Sequence, residues 1–142
     1  MHFAIGLTMV AVTLGIHTFV AGWWLKFVAA RVKARKGVWR ADPVTVSTVA
    51  TGSVLLIVHF VEAVLWACVY LLPSVRPKFD GFESALYFSM VSFSTLGYGD
   101  ITLEGRWRLL GGLEAMVGIL AFGISTALLI AVIQRLWSLE RS

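Results

Sequence analysis

Three apolar stretches, roughly residues 3–25, 50–72 and 109–134, dominate this chain, and each is long enough to cross the hydrocarbon core of a bilayer as a helix. That single property narrows the possible folds more than any motif does. Composition agrees with it: 58% of the 142 residues are hydrophobic and 14% charged, which is a membrane protein's balance and leaves no room for a separate soluble domain. The expected class is an all-α membrane protein with three transmembrane helices.

The formal charge of +4 is unevenly placed. Lys26, Arg31, Lys33, Arg35, Lys36 and Arg40 cluster between the first two stretches, opposed only by Asp42. Short basic loops stay on the cytoplasmic side, so the amino terminus is expected outside and the carboxyl terminus inside. The charge is thus a topology signal, and no nucleic-acid partner is expected. Residues 31–43 form a basic cytoplasmic linker, and residues 1–30 a transmembrane helix ahead of the remaining module, 44–142. Anionic lipid at the linker would contribute on the order of 1 kcal/mol per basic residue; the plainer reading is that these charges only set orientation. Trp23 and Trp24 beside Lys26 suit the interface. No basic residue precedes the first stretch and no small-residue cleavage site follows it, so it is read as a mature helix and not as a signal peptide. Asp42-Pro43 supplies an N-cap and a first-turn proline for the second helix. Cys68, the one cysteine, sits in an apolar run and has no partner within a chain.

The second span ends at Pro73, and a shorter apolar segment follows. Asp80-Gly81-Phe82-Glu83 reads as an acidic capping box opening a helix that continues from Ser84 to Phe93. About fourteen residues give roughly 21 Å, too little to cross and return, so a re-entrant half-helix is expected. Ser94-Thr95-Leu96-Gly97-Tyr98-Gly99-Asp100 then places two glycines within three residues, which breaks the helix before the third span. Non-helical backbone at membrane depth is tolerated only where protein buries it or where it lines a water-filled path. Helix, half-helix, glycine loop and helix in that order imply a pore.

Thr95-Leu96-Gly97-Tyr98-Gly99-Asp100 resembles the filter signature of the two-span pore-module potassium channels, whose filter reads TVGYG, with Leu96 in place of valine. The resemblance extends over about residues 50–137 and leaves the first helix outside. It implies that the carbonyls of Thr95, Leu96, Gly97 and Tyr98, with the Thr95 hydroxyl, coordinate a dehydrated K+. Gly97 and Gly99 would let alternate residues take left-handed angles. By the same resemblance Gly99, Asp100, Tyr87 and Phe88 support the filter, with Tyr87 hydrogen-bonding Asp100, while Tyr98 points away from the ion. Val91 stands where some members carry a glutamate that pairs with the filter aspartate. Gly118 occupies the inner-helix hinge position, with close helix packing as the equal alternative. Ile119, Phe122 and Thr126 share a face and would line the cavity below the filter.

His59, Glu62 and Trp66 share one face of the second span, and Glu114 lies in the third. Ionisable groups in lipid are costly and should face protein. Two readings stand for His59, Glu62 and Glu114: a proton-sensitive element, or a satisfied polar network with Ser89 and Ser92 that fixes helix docking, the second being favoured. His2 and His17 show no spaced partner, and no metal other than the permeant K+ is expected.

One such loop cannot surround an ion, so a homotetramer conducting K+ passively across a plasma membrane (the inner membrane in a bacterium) is expected, with membrane lipid around it and no cofactor. No nucleophile–base set suggests an enzyme, no row of arginines a voltage sensor, and no cytoplasmic ligand-gating domain is expected. The alternatives are a weakly selective cation channel and a non-conducting subunit that modifies another membrane protein.

Overall fold

Continuous apolar sequence free of proline makes long helices, and the computed structural model, which describes residues 2–34, 43–73, 75 and 79–140, contains four. They are α1 (His2–Ala34), α2 (Pro43–Tyr70), α3 (Phe82–Phe93) and α4 (Arg108–Glu140), with one 3-10 turn at Gly105–Trp107 and no strand among the described residues. Three segments, Phe3–Arg31, Val44–Tyr70 and Gly105–Ser138, are long and apolar enough to span a membrane. The protein is therefore an all-α membrane-type fold.

Helix ends differ from the hydrophobic boundaries for local reasons. α1 continues to Ala34, into the stretch assigned to the linker, because lysine, arginine and alanine are good helix formers and no glycine or proline intervenes before Gly37. Arg35, Lys36, Arg40 and the expected cap Asp42 lie outside the described residues. α2 begins at Pro43, which suits a first turn. It ends at Tyr70, and Val75 N–H closes a turn onto the Leu72 carbonyl at 2.8 Å. Leu72, preceding Pro73, is disfavoured in the helical region.

The start of α3 corrects an expectation. Gly81, not Asp80, is the N-cap: its N–H donates to Ser84 Oγ (3.3 Å), and Ser84 Oγ–H donates back to the Gly81 carbonyl (3.0 Å). The reciprocal bonds thus join Gly81 to Ser84, three residues on, one position later than the acidic pair. The resulting helix of 12 residues is about 18 Å long and cannot span.

α3 is held between α2 and α4 by an aromatic core that includes Trp66, Tyr70, Phe79, Phe88, Phe93 and Trp107. A second cluster, Ala21, Val28, Leu55, Leu128, Val132 and Leu136, packs α1, α2 and α4 together farther along. α1 lies close against α4 as well: a Cβ on Gly6 would come within 2.5 Å of Leu113 Cδ1. Burying a Leu or Phe side chain contributes about 1.5–3 kcal/mol relative to water. Between helices already in lipid that gain largely vanishes, and close packing with buried polar pairs takes over as the specifying force.

Candidate functional site

α3 delivers the chain into the glycine loop through a tight C-terminal cap. Leu96 N–H bonds the Val91 carbonyl at 3.0 Å and Thr95 N–H bonds Ser92 at 2.9 Å, the paired pattern that usually ends on a glycine with left-handed backbone. Here that position is Thr95, with φ 62°, the one non-glycine residue with positive φ among those described. A β-branched residue held there costs on the order of 1–3 kcal/mol, and such strain concentrates at functional sites. Gly97 (φ 57°) and Gly99 (φ 79°) follow with the same hand. The left-handed angle thus recurs at every second residue, and Leu96 and Tyr98 between them do not share it. Leu96 and Tyr98 are 56% and 66% exposed in the single chain.

Supports surround the loop. Tyr87 Oη donates to Asp100 Oδ2 at 2.7 Å. That bond holds the Asp100 carboxyl below its usual range and raises the Tyr87 hydroxyl above its own. Phe88 is buried edge-on against Tyr70, with centroids 5.0 Å apart, and faces Gly111 on α4. Val91 lines a cavity of about 290 Å³ behind the loop, together with Gly97, Gly99 and Asp100.

Gly118 meets backbone. A Cβ there would overlap the Phe93 carbonyl oxygen and stand 2.9 Å from its carbonyl carbon, so the third helix touches the last turn of α3 only because residue 118 has no side chain. Of the two readings given to Gly118, this contact favours packing. Ile119, Phe122 and Thr126 all lie exposed on α4, and one side of the Phe122 ring packs 4.3 Å from that of His59 and 5.9 Å from that of Phe93.

The three ionisable groups do not form one cluster. Glu114, fully buried, accepts from Tyr70 Oη at 2.5 Å through Oε2, while Oε1 lies 2.5 Å from Ser89 Oγ. Ser89 Oγ is also 2.7 Å from the Ala63 carbonyl. A hydroxyl has one proton to give, so every contact is satisfied when Ser89 donates to Ala63 and a protonated Glu114 donates to Ser89. This network ties α3 to both flanking helices.

His59 and Glu62 belong to a second network, and its third member corrects the expectation that His17 lacks a partner. His17 Nδ1 lies 3.1 Å from Glu62 Oε1, and His17 Nε2 lies 3.2 Å from Ser125 Oγ, which also meets His59 Nε2 at 3.0 Å. Ser89, weighed as a partner of His59 and Glu62, serves Glu114 instead. His17 and Ser125 went unassigned in the sequence; the available signal was that an ionisable residue inside an apolar span needs a companion.

Residues 44–135, more than half of the chain, match a family model described as "Ion channel", and α1 falls outside the match. No curated protein and no solved structure gives a match.

Proposed function

The chain belongs to the ion-channel family, and on that premise we propose that it is a subunit of a potassium-selective channel, four copies of which enclose one conduction path. The observation that carries the reading is the recurrence of left-handed angles at Thr95, Gly97 and Gly99. Alternating hand sends successive carbonyls to one side of the backbone instead of to opposite sides. The carbonyls of Thr95, Leu96, Gly97 and Tyr98, with the Thr95 hydroxyl, then replace the water oxygens of a dehydrated K+. Gly99 and Asp100 close the loop, and the Tyr87 bond steadies it.

One chain brings one loop, and a closed ring of identical subunits supplies the rest. Support comes from apolar surface that a single chain leaves bare: Leu96 and Tyr98, and a groove of about 690 Å³ bordered by Leu56, Phe60, Met90, Val91 and Leu96. In the ring, Ile119, Phe122 and Thr126 face a water-filled cavity, toward which α3 turns the negative end of its dipole. Potassium is cargo, no cofactor takes part, and the ion moves down its own gradient. The termini take the orientation that the basic linker dictates in a plasma membrane, amino end outside, with anionic lipid beside the linker.

Purified protein in liposomes should pass K+ under a K+ gradient and far less Na+ under a Na+ gradient, and Gly97→Ala, which forces a Cβ onto a left-handed position, should abolish the flux. Equal Na+ flux would make the pore weakly selective. Silence together with no cross-linked tetramer would leave a non-conducting subunit.

A further inference from the structure

We propose that His17, His59 and Glu62 form a binding site for a divalent transition-metal ion of the zinc type, joining α1 to the channel module. One ligand atom from each residue lies within 4.8 Å of the others. Both imidazoles turn Nδ1 toward the same carboxylate, His17 at 3.1 Å from Oε1 and His59 at 3.4 Å from Oε2. The first contact is a hydrogen bond and the second is not: His59 Nδ1 and Glu62 Oε2 are buried with no hydrogen-bond partner. The two atoms face each other at 3.4 Å without a hydrogen bond, which is costly in so apolar a setting, and an ion between them satisfies both at once.

The far side of the rings suits the same assignment. A metal on both Nδ1 atoms leaves a proton on both Nε2 atoms, and each then needs an acceptor to fix its ring. Ser125 Oγ lies 3.2 Å from one and 3.0 Å from the other, and a hydroxyl oxygen has two lone pairs to accept them. Two imidazoles and one carboxylate are a zinc-type donor set with a fourth position open. Nitrogen donors select Zn2+, Co2+ or Ni2+ over Mg2+ and Ca2+, which require oxygen. In a tetrahedral site two ligands each about 2.1 Å from the ion stand about 3.4 Å apart, so a pair at the 4.8 Å limit must close by about 1.4 Å. The rings stack with centroids 5.0 Å apart and planes inclined by 26°, and rotation of both rings and of the Glu62 carboxylate about their side-chain bonds supplies that movement.

Such an ion would hold more than two helices. The His59 ring packs on Phe122 of α4 and on Phe93, the last residue of α3, so fixing it fixes the wall where α3 ends. His17 lies outside the segment that matches the channel family. The site therefore belongs to the combination of α1 with the module and not to the module alone, and metal binding does not depend on which ion the pore conducts.

The test uses the full chain without a histidine tag, stripped with chelator in detergent and titrated with Co2+, whose visible absorption reports tetrahedral nitrogen–oxygen coordination. Wild type should take up one Co2+ per chain and release it to Zn2+. His17→Gln and Glu62→Gln should bind at least about tenfold more weakly, and His2→Gln should bind as wild type does. No tetrahedral spectrum from wild type overturns the proposal even where a variant fails to fold. Uptake that survives in folded His17→Gln, or that is lost in His2→Gln, overturns it as well.

Discussion

Gly118→Ala separates the two roles a glycine can have in the inner helix. At a free hinge, alanine favours the helix by up to about 1 kcal/mol and stiffens it, so the folded protein should gain stability while opening suffers. In the structure the added Cβ meets the backbone of Phe93, 2.9 Å from its carbonyl carbon, where carbon atoms normally rest about 3.5 Å or more apart. Backbone cannot rotate away, so α3 and α4 must part by at least about half an ångström. Overpacking of this kind costs about 1–3 kcal/mol, and with an unyielding obstacle the upper part of that range applies. Setting the helix gain against it leaves a net loss of about 1–2 kcal/mol, a factor of roughly 5–30 in the folded population. Because Phe93 directly precedes Ser94 and the left-handed Thr95, flux should fall further than stability does. The assay is denaturant unfolding in detergent beside K+ flux in liposomes, with Gly22→Ala in α1, where an added Cβ meets nothing within 4 Å, as the control. A Gly118→Ala protein as stable as that control, or more so, would refute the packing argument and restore the hinge.

Three further outcomes follow from the polar contacts. Asp100 is held below its ordinary value of 3.8 by Tyr87, so the bond adds stability above that pH and loses it as pH falls through the lowered value. Tyr87→Phe should therefore move the acid limb of K+ flux upward, toward about pH 4; coincident limbs in both proteins would show that the bond does not matter. Ser89→Ala, which strips a partner from Glu114 and from the Ala63 carbonyl, should cost about 1–3 kcal/mol in unfolding. Glu114→Gln should be nearly neutral, because the amide oxygen accepts from Tyr70 and its N–H donates to Ser89. A Gln variant as damaged as Ser89→Ala would mean that Glu114 carries a charge.

What was legible in the sequence was what lies along it. Apolar length marked the three spans and glycine spacing marked the loop, because both are local properties. Charged residues blurred the end of α1, since Lys26 and Arg31 end a membrane span without ending a helix. The position of Thr95 was legible and its left-handed backbone was not: threonine disfavours that conformation, and only the cap formed with Val91 and Ser92 imposes it. The ionisable groups failed differently. Glu114 looked like a companion of His59 and Glu62 because all three are polar residues in apolar spans, yet Ser125, which does face the histidines, lies about 16 Å farther along the same helix. His17 meets Glu62 across 45 residues of sequence, a distance over which no helical periodicity speaks.

The bonds between α1 and α2 have a consequence for how the first helix finds its place. Thr13 receives Trp66 Nε1–H at 3.0 Å, His17 meets Glu62, and Trp24 Nε1–H reaches Thr51 at 2.9 Å. Positions rise along one helix as they fall along the other, so the pairs work as the teeth of a key cut for a single depth. Sliding α1 by one turn, 5.4 Å, breaks all three pairs, and the buried two, Thr13 with Trp66 and His17 with Glu62, lie where no water replaces them. At about 0.6–1.7 kcal/mol for a hydrogen bond between membrane helices, that is roughly 2–5 kcal/mol against the slipped helix. Lipid would accept α1 at many depths; the protein accepts it at one.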